Sequence, residues 1–111
     1  MDRAELLSDI REFLGTAGFS ISDPYSIRLP GFDLVARRDD TLLIIKALTN
    51  IDALSEEVGN ELRALAYLLK ATPLLIGEKN GMNVLEDDVV YFRFGIQTVT
   101  VSTLKLSLIH I

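Results

Sequence analysis

The chain has 111 residues, a net charge of −5 and no cysteine. This length suits one domain with its own hydrophobic core, and the lack of cysteine excludes a disulfide framework and a thiolate metal site. The acidic balance, the 7% aromatic share and the absence of tryptophan argue against autonomous nucleic-acid binding, which needs clustered cations or a stacking surface.

Targeting signals are not visible in the sequence. No apolar run approaches the roughly 18 residues that a membrane-spanning helix needs, and the acidic start MDRAELLSDI lacks the apolar centre of a signal peptide. We therefore expect a cytoplasmic protein with no membrane partner.

The first half of the chain predicts a helix followed by short strands. Residues 2–16 carry apolar side chains at helical spacing, and Gly15 and Gly18 favour an end there. FSIS and YSIRL are extended pieces around a turn at Asp23-Pro24. Phe32 to Leu48, FDLVARRDDTLLIIKAL, predicts two strands joined by a turn at RRDD.

The second half predicts a helix over residues 50–71, capped by Asp52 or Ser55, in which Gly59 marks a close packing contact. TPLLIG is wholly apolar, which is typical of a strand buried on both faces. We interpret EKNGMNVLEDD as a polar loop, VVYFRFGI and TVTV as strands, and TLKLSLIHI as a helix capped by Ser102. The order αβββαβββα predicts an α/β (α+β) fold with a central mixed β-sheet flanked by helices.

The hairpin within FDLVARRDDTLLIIKAL predicts an opposed pair of charges. If its turn is symmetric about Asp39-Asp40, Val35 faces Ile44 and Asp33 faces Lys46. Directly opposed residues have Cβ atoms about 5 Å apart, so the acid and the lysine can interact. A three-residue turn would shift the register and separate them.

This segment resembles the core of the PD-(D/E)XK nuclease superfamily, which includes the archaeal Holliday-junction resolvases. In that core one acid opens a strand, and an acid, any residue and a lysine follow on the next strand. Asp33 matches the first acid and Lys46 the lysine, whereas Ile44 stands at the position of the second acid. The resemblance implies a restriction-endonuclease-like fold.

A second resemblance covers more of the chain. The stretches FDLVARRDDTLLIIKAL, LRALAYLLKATPLLIG and LEDDVVYFRFGI are similar to the N-terminal region of helix-turn-helix transcriptional regulators of archaea. It implies that residues 1–111 form a single domain, the N-terminal regulatory part of a longer chain. DNA would then be bound by a C-terminal helix-turn-helix that is not included here.

Metal-assisted phosphodiester cleavage needs clustered carboxylates to hold the ion, the water and the phosphate. Ile44 supplies no ligand, so we interpret Asp33, Ile44 and Lys46 as remnant positions and expect no catalytic residue, metal or cofactor. A carboxylate paired with a lysine also explains Asp33 structurally. A relocated ligand could come from Glu57, Glu61, Glu5 or Glu12, each of which is more typical of a solvated helix face.

Other residues carry weaker signals. Tyr91 and Arg93 share one face of a predicted strand and are interface candidates. Arg37 and Arg38 adjoin Asp39 and Asp40, as in a solvated turn. His110 is the only histidine, with no second histidine or any cysteine to complete a zinc site.

The favoured function is a non-catalytic regulatory or oligomerisation domain of an archaeal helix-turn-helix regulator, with self-association as its expected interaction. One alternative is a metal-dependent nuclease with a relocated carboxylate. Another is a module that binds a small effector in a cleft around Asp33 and Lys46.

Overall fold

The structure is a computed structural model, and it describes residues 2–22 and 31–109. The helices are α1 (Arg3–Thr16), α2 (Glu56–Leu69) and α3 (Val101–Ile109), and a 3-10 turn covers Ile51–Ala53. The strands are β1 (Ser20–Ser22), β2 (Leu34–Arg38), β3 (Thr41–Asn50), β4 (Thr72–Asn80), β5 (Asn83–Val84), β6 (Tyr91–Arg93) and β7 (Ile96–Val99). In this part of the chain, no helix is long and apolar enough to cross a membrane.

The strands form one mixed sheet in the order β1-β2-β3-β4-β7-β6, with β5 paired to β4. β3, β4 and β7 are parallel and form the centre, whereas β1, β2 and β6 add antiparallel strands at the edges. In β4, Leu74, Leu75 and Ile76 are all buried, as expected for a strand covered on both faces. The predicted mixed sheet flanked by helices is confirmed.

Helices cover both faces of the sheet, because neighbouring residues of a strand point to opposite sides. On one face Ile45 packs in a cluster with Leu14 of α1 and Leu104 of α3. On the other face Ile44 packs in a second cluster with Leu62 of α2. β3 therefore contributes to two separate cores.

Side-chain oxygens fix where the helices begin. Asp2 Oδ1 accepts a hydrogen bond from the N–H of Glu5 at 2.8 Å, and Ser55 Oγ accepts one from the N–H of Val58 at 3.1 Å. Of the two predicted caps for α2, Ser55 is therefore the one used.

The predicted cap of the last helix is wrong. Thr100 Oγ1, not Ser102, accepts the hydrogen bond from the N–H of Thr103, at 3.2 Å. The apolar Val101 thus belongs to the first turn of α3 rather than to the preceding strand.

Two predicted segments fold as hairpins. The polar loop EKNGMNVLEDD is wrong in its first half, since β4 runs through Asn80 and Gly81, with φ 62°, turns the chain into β5. VVYFRFGI is not one strand, because Phe94 and Gly95, with φ 51° and 78°, form a turn between β6 and β7. Within the described residues four strands, not three, therefore follow α2. FSIS contributes β1, and YSIRL lies outside the described residues.

Gly59 marks a close contact, as predicted. A Cβ atom at this position would lie 3.2 Å from the ring of Phe94. The turn between β6 and β7 therefore packs directly on α2, and a larger side chain at Gly59 would push the two apart.

Candidate functional site

The hairpin of β2 and β3 brings Asp33 and Lys46 together. Its register pairs Val35 with Ile44, as predicted, and Asp39, with φ 53°, opens the two-residue turn. Asp33 precedes β2, and its Oδ1 lies 3.8 Å from Lys46 Nζ. Only 11% of the Asp33 side chain and 16% of the Lys46 side chain are exposed, so the pair is largely shielded from water.

The second carboxylate oxygen of Asp33 is used by the backbone. Asp33 Oδ2 accepts a hydrogen bond from the N–H of Ala47 at 2.7 Å, and the N–H of Asp33 donates to the carbonyl of Ile45 at 2.8 Å. A carboxylate thus satisfies an N–H of β3 at the point where the ladder with β2 begins. Asp33 therefore connects the start of β2 to β3 through hydrogen bonds.

Arg3 is a member of the site that the sequence did not reveal. Its Nη2 donates to Asp33 Oδ1, and its Nε donates to the carbonyl of Ala47 at 3.1 Å. Arg3 lies in the first turn of α1, where the positive end of the helix dipole disfavours a cation. That position indicated a need for an acidic partner, but the identity of the acid depends on how α1 packs on the sheet.

The electrostatics of this cluster disfavour a metal ion. Asp33 is flanked by two cations, Arg3 and Lys46, so these three side chains together carry a charge of +1. A divalent cation would have to displace Arg3 from Oδ1 and then lie beside Lys46, against charge repulsion that a shielded site strengthens.

In the resemblance to the nuclease core, Ile44 stands at the position of the second acid. Its side chain is fully buried and packs in the cluster that includes Leu62 and Leu75. A hydrocarbon side chain offers no oxygen ligand for magnesium. Across residues 2–22 and 31–109, no group of three or more His, Cys, Asp or Glu side chains could hold a metal ion.

The four glutamates predicted as replacement ligands all lie on helices. Glu5, Glu12 and Glu57 are exposed, and Glu61 is half-buried. Glu61 borders the chain just before Asp33, because a Cβ atom on Gly31 would lie 3.4 Å from the Cβ of Glu61. In the described part of the chain, none of the four joins a three-residue metal-binding group.

In strand β6, Phe92 is more exposed than its neighbours Tyr91 and Arg93. Tyr91 packs against the cluster beneath α2, and its hydroxyl accepts a hydrogen bond from the N–H of Glu86 at 2.9 Å. Arg93 is half-buried, with Nη2 3.5 Å from Asp52 Oδ1, whereas Phe92 between them is 58% exposed. Tyr91 and Arg93 therefore form the less exposed face of β6; the alternation in the sequence left open which face meets the core. Their role in an interface stays a prediction.

Three residues named in the sequence analysis remain, namely Arg37, Arg38 and His110. Arg38 lies over the ring of Phe19, 4.6 Å from its centroid, and donates to the carbonyl of Ala17 at 2.9 Å. Arg37 is exposed, as predicted for a solvated turn. His110 lies outside the described residues.

A cavity of about 310 Å³ lies away from the Asp33–Lys46 pair. It is bordered by Asp9 of α1, Val84 of β5 and the start of α3 at Val101. The predicted effector cleft was placed around Asp33 and Lys46, and neither residue lines this cavity.

Residues 3–110 match the PD-(D/E)XK superfamily domain. The chain therefore belongs to the PD-(D/E)XK superfamily, and its mixed sheet with helices on both faces is consistent with the restriction-endonuclease-like fold.

The chain is also similar to archaeal proteins that carry the provisional name HTH-type transcriptional regulatory protein. It is 43% identical to one from Methanosarcina mazei over 104 residues, which is 94% of this chain and 32% of that protein. It is 46% identical over 99 residues to one from Methanococcoides burtonii, covering 89% and 31%. For one from Natronomonas pharaonis the identity is 43% over 103 residues, covering 93% and 32%. The chain spans about a third of the length of these relatives.

Proposed function

We propose that this domain is a non-catalytic regulatory and self-association module of an archaeal HTH-type transcriptional regulator, in which another part of the chain binds DNA. The observation that carries the proposal is the set of contacts that the Asp33 carboxylate makes within the chain. Its carboxylate is held by Arg3, Lys46 and the N–H of Ala47, and Ile44 replaces the second acid.

Structural and catalytic roles place opposite demands on such a carboxylate. A magnesium-dependent nuclease keeps carboxylate oxygens available for the ion and its waters. Here both oxygens of Asp33 contact groups of the same chain, and the pair contributes to joining α1, β2 and β3. The arrangement supports an ion pair that was kept for stability after catalysis was lost.

Self-association suits the regulators that this chain resembles. Helix-turn-helix proteins commonly bind two half-sites of an operator as symmetric dimers, so a second domain that pairs with its copy fixes the spacing of the two reading heads. The net charge of −5 supports a role apart from direct DNA contact.

The alternative of a nuclease with a relocated carboxylate is tested by a cleavage assay. The domain is incubated with four-way-junction and linear duplex DNA in the presence of Mg²⁺ or Mn²⁺. We expect no cleavage above the level of the buffer. Cleavage that is lost in the Asp33→Asn variant would contradict the proposal.

The regulator assignment is tested in the gene. The reading frame is expected to continue beyond the codon of Ile111 into a helix-turn-helix, as the length of the relatives indicates. A stop codon directly after Ile111 would remove this part of the proposal and leave the non-catalytic part standing.

A further inference from the structure

Strand β6 forms one edge of the sheet. In the part of the chain that the structure describes, it is last in the strand order and pairs with β7 alone. The turn between these strands is closed by Arg93 and Ile96, which form the first hydrogen-bonded pair of the ladder. Such pairs alternate with non-hydrogen-bonded ones, so Phe92, which faces Gln97, directs its N–H and C=O away from β7. These groups face the open edge, where a further strand can bond to them.

The contacts of Phe92 agree with this orientation. Its carbonyl accepts a hydrogen bond from Nη1 of Arg93 at 3.1 Å, from a side chain rather than from a strand. A strand that pairs with the edge replaces this contact, because a backbone N–H then donates to the same carbonyl. Nη2 of Arg93 lies 3.5 Å from Oδ1 of Asp52, so that contact is independent of the edge.

Two exposed apolar side chains lie at this edge. Phe92 is 58% exposed, and Val90, directly before the strand, is 48% exposed. Residues two apart share a face of a strand, so both lie on the side of the sheet that α1 and α3 cover. On that side Val90, Val99 and Leu104 border a cavity of about 140 Å³. An apolar cavity of about 150 Å³ can hold a benzene ring, so this one suits an aromatic side chain.

We infer that a second copy of this chain pairs with the edge of β6, antiparallel and about a two-fold axis at Tyr91, so that the two sheets become continuous. The inference rests on the proposed self-association and assigns a strand edge to it. This register opposes Val90 of each copy to Phe92 of the other. By the alternation along the strand, both residues direct their backbone groups to the open edge, so each opposed pair exchanges both of its N–H···O bonds.

The edge is complementary to itself, which identifies the occupant. The two-fold axis brings the exposed Phe92 and Val90 together twice, so apolar side chains cover one another. Opposed residues have Cβ atoms about 5 Å apart, and Phe92 of the second copy therefore reaches the rim of the cavity beside Val90. Arg93 is the only charged residue of the paired stretch VVYFR, and it opposes Val89, so no like charges meet. A second copy supplies this pattern by symmetry, as at other isologous interfaces.

A cysteine crosslink tests the register, since the chain has no cysteine of its own. Tyr91 opposes Tyr91 of the second copy as a non-hydrogen-bonded pair, whose Cα atoms lie about 4.5 Å apart, within the range of a disulfide. Tyr91→Cys is therefore expected to form a disulfide-linked dimer under mild oxidation, read on a non-reducing gel. Leu68→Cys is the matched control, because Leu68 is 75% exposed but lies on α2. It should stay monomeric on the gel.

Sedimentation velocity over a range of concentrations measures the affinity. The wild type is expected to show a monomer–dimer equilibrium, and Phe92→Glu should weaken the dimer roughly thirtyfold or more, as at a central interface residue. Val90→Pro removes an N–H that faces the edge and should weaken the dimer about tenfold. Leu68→Glu is the control and should leave the dimer unchanged. Thermal melting verifies that each variant is folded.

The outcomes separate the two proposals. A dimer that persists in folded Phe92→Glu and Val90→Pro, or one that is lost only in Leu68→Glu, would overturn the β6 edge and leave self-association standing. A folded, dimeric Tyr91→Cys protein that forms no disulfide would overturn the two-fold axis at Tyr91. A wild-type chain that is monomeric at every concentration would overturn both the edge pairing and the proposed self-association.

Discussion

The cluster around Asp33 and the C-terminal half of α2 differ in how far their side chains are satisfied by contacts within the chain. At Asp33 both carboxylate oxygens have partners within the chain, and Ile44 is sealed in the core. On α2, Tyr67 and Leu68 extend into solvent. The carboxylate that resembles a nuclease acid has partners within the chain for both of its oxygens, while exposed apolar side chains lie on a helix. This contrast supports the proposal that the domain acts through association rather than through chemistry at Asp33.

The largest expected effect on the free energy of unfolding comes from placing an acid at position 44. Ile44→Glu should lower the free energy of unfolding by about 4 kcal/mol or more, because it buries a carboxylate among apolar side chains of the cluster beneath α2. Ile44→Val, which only shortens the side chain, should cost about 1 kcal/mol. Urea denaturation measures both. A stable Ile44→Glu protein that also binds Mn²⁺ would show that the site had kept its metal geometry.

Removal of the carboxylate should have the next largest effect. Asp33→Ala is expected to lower the free energy of unfolding by about 2–4 kcal/mol, because Arg3 and Lys46 lose their counter-charge and the N–H of Ala47 loses its acceptor. Asp33→Asn should cost less, since an amide oxygen can still accept that bond. Chemical denaturation of both variants measures these changes in the free energy of unfolding. An Asp33→Ala protein more stable than the wild type would contradict the account, because strain relieved at a catalytic position is the usual cause of such a gain.

Arg3 should contribute less than Asp33. Its side chain is 47% exposed, so we expect Arg3→Ala to cost about 1 kcal/mol, mostly through the lost hydrogen bonds to Asp33 and the carbonyl of Ala47. Thermal melts at low and high salt would show whether the Arg3 contribution is electrostatic, since only that part is screened.

The smallest expected change in the free energy of unfolding is at Leu68, in the C-terminal half of α2. Leu68→Glu should alter the free energy of unfolding of the monomer by no more than about 0.5 kcal/mol, because the side chain is already in solvent. Denaturation at a concentration well below that of dimer formation isolates this term. A large loss of unfolding free energy in the monomeric Leu68→Glu variant would mean that Leu68 supports the core. It would contradict the contrast with Asp33.

Sequence reasoning succeeded where a local rule fixes the geometry. The symmetric turn at Asp39-Asp40 predicted the register that brings Asp33 to Lys46, and alternation along β3 followed from it. It failed where tertiary packing decides. Arg3 reaches Asp33 across 30 positions of the chain, and the inward side of Tyr91 depends on which face of the sheet α2 covers.

The two missed hairpins have a different cause. Their turns use left-handed residues, and one of these is Phe94, a type that seldom adopts positive φ. Gly81 and Gly95 are present in the sequence at both turns, but polar residues around Gly81 favoured a loop and aromatic residues around Gly95 favoured a continuous strand. For the turn at Gly95, a glycine within a strand pattern was the signal that could have located it.

The central claim is that Asp33 is a structural ion-pair partner and not a metal ligand. Calorimetric titration of Mn²⁺ into the wild-type domain, run beside Asp33→Asn, tests it most directly. We expect no saturable binding in either protein, because Arg3 and Lys46 contact the carboxylate of Asp33 and Ile44 supplies no second ligand. Saturable binding in the wild type that disappears in Asp33→Asn would contradict the account and make Asp33 part of a working metal site.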